Sequence, residues 1–300
     1  MRRVLAIALL LTGSVAAAQN KSQLPQELKG SDPAPDTKSA QDYLRRGRYE
    51  DALRQARLAL TRDEKYVPAM LVMAKAYYYE KKYELASSIL DLAKGIQPDN
   101  AEAYNLIGFI ALVSHSEPDR ISATAAFKKA TELDEKYATA WNNLAAQYLF
   151  SKNYDGALTA AQRASELAPN SAKAFLNLGS AHRGKQEYAE SEKAYKRALE
   201  IDPNYADAYF DLGILYLDAK EMPGTDTITK FNTAINYLNR YKQVAGYRLQ
   251  KDDPADNYIA EARKGIDTET KRIERMKRNQ QRNQAKPAPA APTGKTGGDK

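Results

Sequence analysis

A repeat of fixed length constrains this chain more than any other feature. Written in lines of thirty-four residues, 138–171 lies over 172–205. Trp141, Leu144, Ala145 and Tyr148 fall above Phe175, Leu178, Gly179 and His182. Tyr154, Ala157, Ala161 and Ala164 fall above Tyr188, Ser191, Tyr195 and Ala198, and Pro169 above Pro203. A period of this size marks a solenoid, because one unit cannot bury its apolar face alone and stacked neighbours complete the core.

The physics of one unit is legible. Trp141, Leu144, Ala145 and Tyr148 are spaced i, i+3, i+4, i+7, which places them on one helical face. Tyr154, Ala157, Ala161 and Ala164 form the face of a second helix. Ser151, Lys152 and Asn153 leave room only for an antiparallel hairpin turn. Ala145, Ala157 and Gly179 are small enough to let two backbones approach. Pro169 and Pro203 end the second helices, since proline cannot continue the hydrogen-bond ladder. Asn170 and Asn204 are expected to cap the first helices that follow.

These residues resemble the tetratricopeptide repeat family, at the places held here by Trp141, Leu144, Ala145, Tyr148, Ala157, Ala164 and Pro169. The resemblance implies an all-α, right-handed superhelix, an α solenoid of about six helical hairpins. It also implies that the first helices line a concave groove for an extended peptide or a partner helix.

Taken in order, residues 1–18 read as a secretory signal peptide. Arg2-Arg3 is the positive region, Val4 to Leu11 the apolar run, and Ala16 and Ala18 are the small residues read at the cleavage site. An uncleaved anchor is the alternative, but the apolar run is short for a bilayer. No cysteine follows, so a lipoprotein leader is excluded, and a soluble periplasmic protein is expected. Residues 19–37, with Pro25, Pro33 and Pro35, read as a flexible arm. The solenoid is expected over 38–245, with a degenerate first repeat. The third repeat carries three extra residues around His115-Ser116-Glu117-Pro118, expected in its turn and either tolerated or functional. The sixth has a stretched turn through Glu221-Met222-Pro223-Gly224-Thr225. A capping helix that turns basic is expected over 253–284, opened by Asp253-Pro254. The Pro/Ala/Gly/Lys-rich stretch 285–300 reads as a disordered tail. This layout is similar to the periplasmic tetratricopeptide proteins of myxobacterial gliding-motility machinery.

Composition narrows the chemistry. The chain has no cysteine, which excludes disulfides, thiolate metal sites and a cysteine nucleophile. The formal charge of +7 is terminal: Arg2 and Arg3 open the chain, and 261–300 holds eleven Lys+Arg against five Asp+Glu. Residues 19–260 then carry 32 basic and 33 acidic side chains, a balance that argues against the repeats themselves gripping nucleic acid. His182 lies in a buried register and His115 in the inserted segment. No phosphate loop, metal motif or nucleophile elbow is present. The expectation is a non-enzyme without cofactor or metal.

By the register that the resemblance implies, groove residues include Asn105, Phe109, Asn142, Asn143, Phe150, Asn177, Arg183, Phe210 and Asp211, with Tyr78 and Tyr79 extending the face. Asn143 and Asn177 could pair with a peptide backbone, since a side-chain amide both donates and accepts, or could simply solvate the groove. Asn143 and Lys173 match two places of the family's carboxylate clamp, whose remaining positions this sequence lacks. The basic run Lys271-Arg272, Arg275, Lys277-Arg278 and Arg282 is either a solvated helix end or a weak contact for an anionic membrane surface. The reading is a protein-interaction scaffold of the bacterial cell envelope with protein partners and no nucleic acid, placed in a motility or secretion complex. A periplasmic chaperone or assembly factor is the alternative. Partner and oligomeric state are not written in the sequence.

Overall fold

The computed structural model describes residues 30–114 and 116–284, and these form two compact units divided after Asn170. Unit 1 contains helices α1 (Ala34–Arg45), α2 (Tyr49–Arg62), α3 (Val67–Tyr79), α4 (Tyr83–Ile96), α5 (Ala101–Ala111), α6 (Glu117–Leu133), α7 (Ala138–Phe150) and α8 (Tyr154–Leu167). They pair as four consecutive helical hairpins. Unit 2 contains α9 (Ala172–Gly184), α10 (Tyr188–Ile201), α11 (Ala206–Asp218), α12 (Thr227–Ala245) and the terminal helix α13 (Ala255–Gln284). Its first four helices make two further hairpins. No strand occurs among the described residues beyond an isolated bridge between Met222 and Thr225.

Three hairpins are closed by a large side chain set over a glycine, the third being Leu238 of α12 over Gly213 of α11. In unit 1, a Cβ built on Gly108 of α5 would stand 2.6 Å from the Phe127 ring of α6, so only glycine lets that ring lie on the backbone. In unit 2, Gly179 of α9 lies beneath Tyr195 of α10 at 2.5 Å by the same measure. Ser191 Oγ also donates to the Gly179 carbonyl at 2.8 Å, so the buried hydroxyl has a partner. Phe127 and Tyr195 are fully buried. Removing such a ring from water contributes about 2–3 kcal/mol before packing is counted.

The turns within hairpins repeat as well. Gly47, Lys81, Lys152 and Gln186 all adopt positive φ, at 71°, 60°, 57° and 63°. Only the first is a glycine, so the other three are held in a left-handed conformation at a local cost. Pro169 and Pro203 stand two residues beyond the ends of α8 and α10. They hold the preceding residues, Ala168 and Asp202, out of helical geometry.

Several boundaries differ from the sequence reading. The caps fall one residue later than Asn170 and Asn204: Ser171 accepts from the Ala174 amide at the start of α9, and Tyr205 precedes α11 with no side-chain cap. The Asn204 amide instead donates to Asp202. Helix α1 starts at Ala34, so the arm expected to run to Thr37 is shorter. Arg62 ties its start down by pairing with Asp36 and donating to Ser31 Oγ at 2.6 Å. The third repeat's surplus of three residues reappears in the length of its second helix. Ser116 caps α6, which opens at Glu117-Pro118 and runs 17 residues where α4, α8 and α10 run 14. The stretched turn of the sixth repeat is pinned rather than loose. Met222 is buried, and the buried Lys230 ammonium donates to the Ala219 carbonyl at the end of α11.

Candidate binding faces of the two units

In unit 1 the first helices of the third and fourth repeats meet through amides. Asn143 Nδ2 donates to Asn105 Oδ1 at 2.9 Å, and Asn105 Nδ2 reaches the Tyr137 hydroxyl at 3.4 Å. Asn105 and Asn143 are only 3% and 6% exposed, so this pair joins adjacent repeats as much as it faces outward. Burial, and then Glu102 and Asp134, push the Tyr137 phenol up to about 12, while the Asn105 bond opposes them. Tyr137 remains a neutral donor and acceptor at any physiological pH. Asn142 is buried beside this pair on α7.

Aromatic side chains extend the same face. Phe109 lies edge-on to Phe127 at 5.5 Å and is tilted on Tyr78 at 6.2 Å. Tyr78 meets Tyr79 at 5.6 Å, and Tyr79 stacks on Tyr49 at 5.3 Å with an interplanar angle of 12°. Tyr79 and Phe150 occupy the thirteenth place of their repeats, at the ends of α3 and α7. They are 54% and 58% exposed, which large apolar rings avoid without a partner. The Arg120 guanidinium, brought in by the lengthened α6, lies 3.9 Å over the Phe150 ring.

Unit 2 uses charge in the corresponding register. Ser180 donates to Asp211 at 3.4 Å and shares a bond with the Tyr195 hydroxyl at 3.1 Å. Arg183 of α9 donates to Asp218 of α11 at 2.9 Å. Burial raises the Asp211 carboxyl to about 6, with Arg183 opposing and Asp207 adding to the rise. Burial also works against the Arg183 charge, but Tyr195, Asp211 and Asp218 outweigh it, so the guanidinium stays charged. Burial followed by Asp207, Asp211 and Asp202 carries Tyr205 up to about 12. The outcome is a half-buried mixed-charge cluster able to accept and donate to a polar segment.

The remaining expected residues divide. Asn177 is buried on α9, and Lys173 is exposed at the same helix's start. Phe210 turns to the terminal helix, meeting Tyr241 at 5.1 Å and Tyr258 at 5.9 Å, and so packs the end of unit 2. His182 is partly buried and pairs with Glu187 at 2.6 Å. His115, Ala16 and Ala18 lie outside the described residues. Tyr137, Arg120 and Asp218 were not singled out from the sequence. The recurrence of Tyr66, Tyr137 and Tyr205 just ahead of a first helix was the available signal for Tyr137.

Comparison with known proteins names this architecture. Tetratricopeptide-repeat family profiles match residues 43–108 and 138–171, and a further TPR-repeat profile matches 179–219. The chain is a tetratricopeptide repeat protein. Such repeats are in general non-catalytic protein-binding modules. No curated protein matches this sequence. Among solved structures, the anaphase-promoting-complex hetero-tetramer Cut9–Hcn1 is similar at TM-score 0.62 and 17% identity, over 86% of this chain. The tetratricopeptide chain spans only 46% of that one. PilF of Pseudomonas aeruginosa gives TM-score 0.61 at 19% identity, over 77% of this chain and 96% of that one. PilW, a type IV pilus biogenesis factor, gives 0.58 at 21% identity, over 74% and 96%. At these identities the likeness is one of fold. Among the described residues no helix is long and apolar enough to cross a membrane.

Proposed function

We propose that this tetratricopeptide protein is a non-catalytic interaction scaffold that holds an extended peptide or helix of a protein partner against its first helices. The observation that carries this reading is the pair Tyr79 and Phe150. Two large rings stand more than half exposed at one repeat register, on a face otherwise knit together by buried amides. Rings of this kind, backed by neighbours and losing little rotamer entropy, are what a partner's apolar side chain anchors on. The mechanism is preorganisation: the hairpins hold the anchors in place before the partner arrives. The leader-like 1–18 segment supports an envelope setting, with cleavage before Gln19 and a place in a motility or secretion complex as the finer form of the proposal.

The test is a crosslinked pull-down from native envelopes, comparing the wild-type chain with Tyr79→Ala/Phe150→Ala. These positions are preferred to the asparagines, because the exposed rings can be removed without opening the core. A small set of partners lost in the double variant supports the scaffold. A broad set of clients that ignores the substitutions points to a chaperone instead.

A further inference from the structure

The terminal helix has two halves with different tasks. Its first half docks: Ala255, Ile259 and Ala262 are buried, and Gly265 lies under the Phe231 ring of α12, 2.5 Å from where a Cβ would stand. Beyond Ile273 the docking ends, and residues 274–282 are all exposed. This exposed half carries most of the chain's excess charge. Lys271, Arg272, Arg275, Lys277, Arg278 and Arg282 stand against Glu274 over 271–284.

The basic residues are not scattered. Lys271, Arg275, Arg278 and Arg282 are spaced i, i+4, i+7, i+11, which puts them on one face over about 16 Å of helix. Lys271 lies two and a half turns beyond Ala262, so this stripe is on the side opposite the docked one. Lys271 pairs with Asp267 at 2.6 Å and Arg278 lies 4.0 Å from Glu274, while Arg275 and Arg282 have no ion-pair partner among the described residues. Such exposed pairs are weak and yield to a stronger anion. The apolar content of this half is Ile273 and Met276, too little for a helix that buries itself among acyl chains. It has no aromatic residue on which a base could stack.

We propose that the stripe Lys271, Arg275, Arg278 and Arg282 docks the protein on an anionic lipid bilayer surface. Contact is electrostatic and reversible. The choice of lipid rests on the envelope setting proposed above. The basic face itself is observed.

The test uses the chain from Gln19 to Lys300 and sedimentation with vesicles of equal parts phosphatidylcholine and phosphatidylglycerol, or of phosphatidylcholine alone. Binding is expected only to the mixed vesicles and is expected to fall steeply with salt. Each basic residue near such a surface contributes roughly fivefold, so K271Q/R275Q/R278Q/R282Q should bind several hundredfold more weakly. A charge-matched control, R54Q/K128Q/K129Q/K136Q, should bind as the wild type does. Circular dichroism establishes that both variants keep their helices. Equal loss in the control, binding to neutral vesicles, or capture of an acidic polypeptide but not of lipid by the stripe would overturn the proposal. The groove reading fails separately: Tyr79→Ala/Phe150→Ala should leave vesicle binding intact, and the stripe variant should keep its protein partners.

Discussion

The two units solve one problem with different chemistry. Where first helices of adjacent repeats meet, unit 1 places Asn143 against Asn105, and unit 2 places Arg183 and Ser180 against Asp218 and Asp211. The amide pair is nearly buried and insensitive to pH. The charged cluster is half-buried and contains the Asp211 carboxyl, which burial raises to about 6. The hairpin geometry is common to both, so the repeat dictates where these side chains point but not what they are. A tetratricopeptide scaffold can therefore vary its chemistry from repeat to repeat without altering its fold.

That comparison can be broken first at the interlocks, which should behave alike in both units. Phe127→Ala and Tyr195→Ala are each expected to cost about 3–5 kcal/mol, read by thermal or denaturant unfolding. A much smaller loss in one unit would mean that its hairpins do not depend on the ring over glycine.

The next effect should separate the units. The folded-state pKa of Asp211 lies above its free value, so the folded chain holds that proton more tightly between about pH 4 and 6. Its contribution is fully present at the acid end of this window and is lost as pH rises through the folded value, a change of about 2 kcal/mol. Hydrogen exchange in α9 and α11 should therefore quicken between these pH values more than intrinsic exchange requires, and exchange in α5 and α7 should not. Asp211→Asn should abolish the difference. A pH response that survives the substitution would place the titrating group elsewhere.

Asn143→Ala should cost about 1–2 kcal/mol, because it leaves the buried Asn105 Oδ1 without its donor. In a double-mutant cycle with Asn105→Ala, the combined loss should be less than the sum of the two, since the second change removes the stranded group. Strict additivity would show that the 2.9 Å contact contributes nothing. The smallest effect should again be shared. Lys152→Gly and Gln186→Gly relieve positive-φ backbone and should each raise stability by about 0.5 kcal/mol, the relief exceeding glycine's entropic cost.

Much of the fold was legible because the period and the helical spacing are local properties. The hairpins, the proline stops and the capping helix opened by Asp253-Pro254 follow from them. Of the segment expected as a turn, Glu117-Pro118 belong to α6, and Ser116 followed by Glu117-Pro118 is itself a helix-start signature. At α9 the cap falls on Ser171 because Asn170 and Ser171 can both cap and the backbone decides between them, whereas at α11 the place falls on Tyr205, which offers no side-chain cap. The candidate faces were legible as register and no further. Whether Asn143 meets a ligand or Asn105 depends on the distance between repeats. Whether Phe210 faces outward depends on a helix that arrives some forty-five residues later.

The docking of α13 has a mechanical consequence. The helix lies along α12 through small contacts made one turn at a time, by Ala255, Ile259, Ala262 and the Gly265–Phe231 interlock. A pull on the C-terminus enters through this helix and meets those contacts in sequence, as a peel, before it reaches the interlocked hairpin of α11 and α12. Load applied there is therefore expected to act first on the shallow contacts of this one helix.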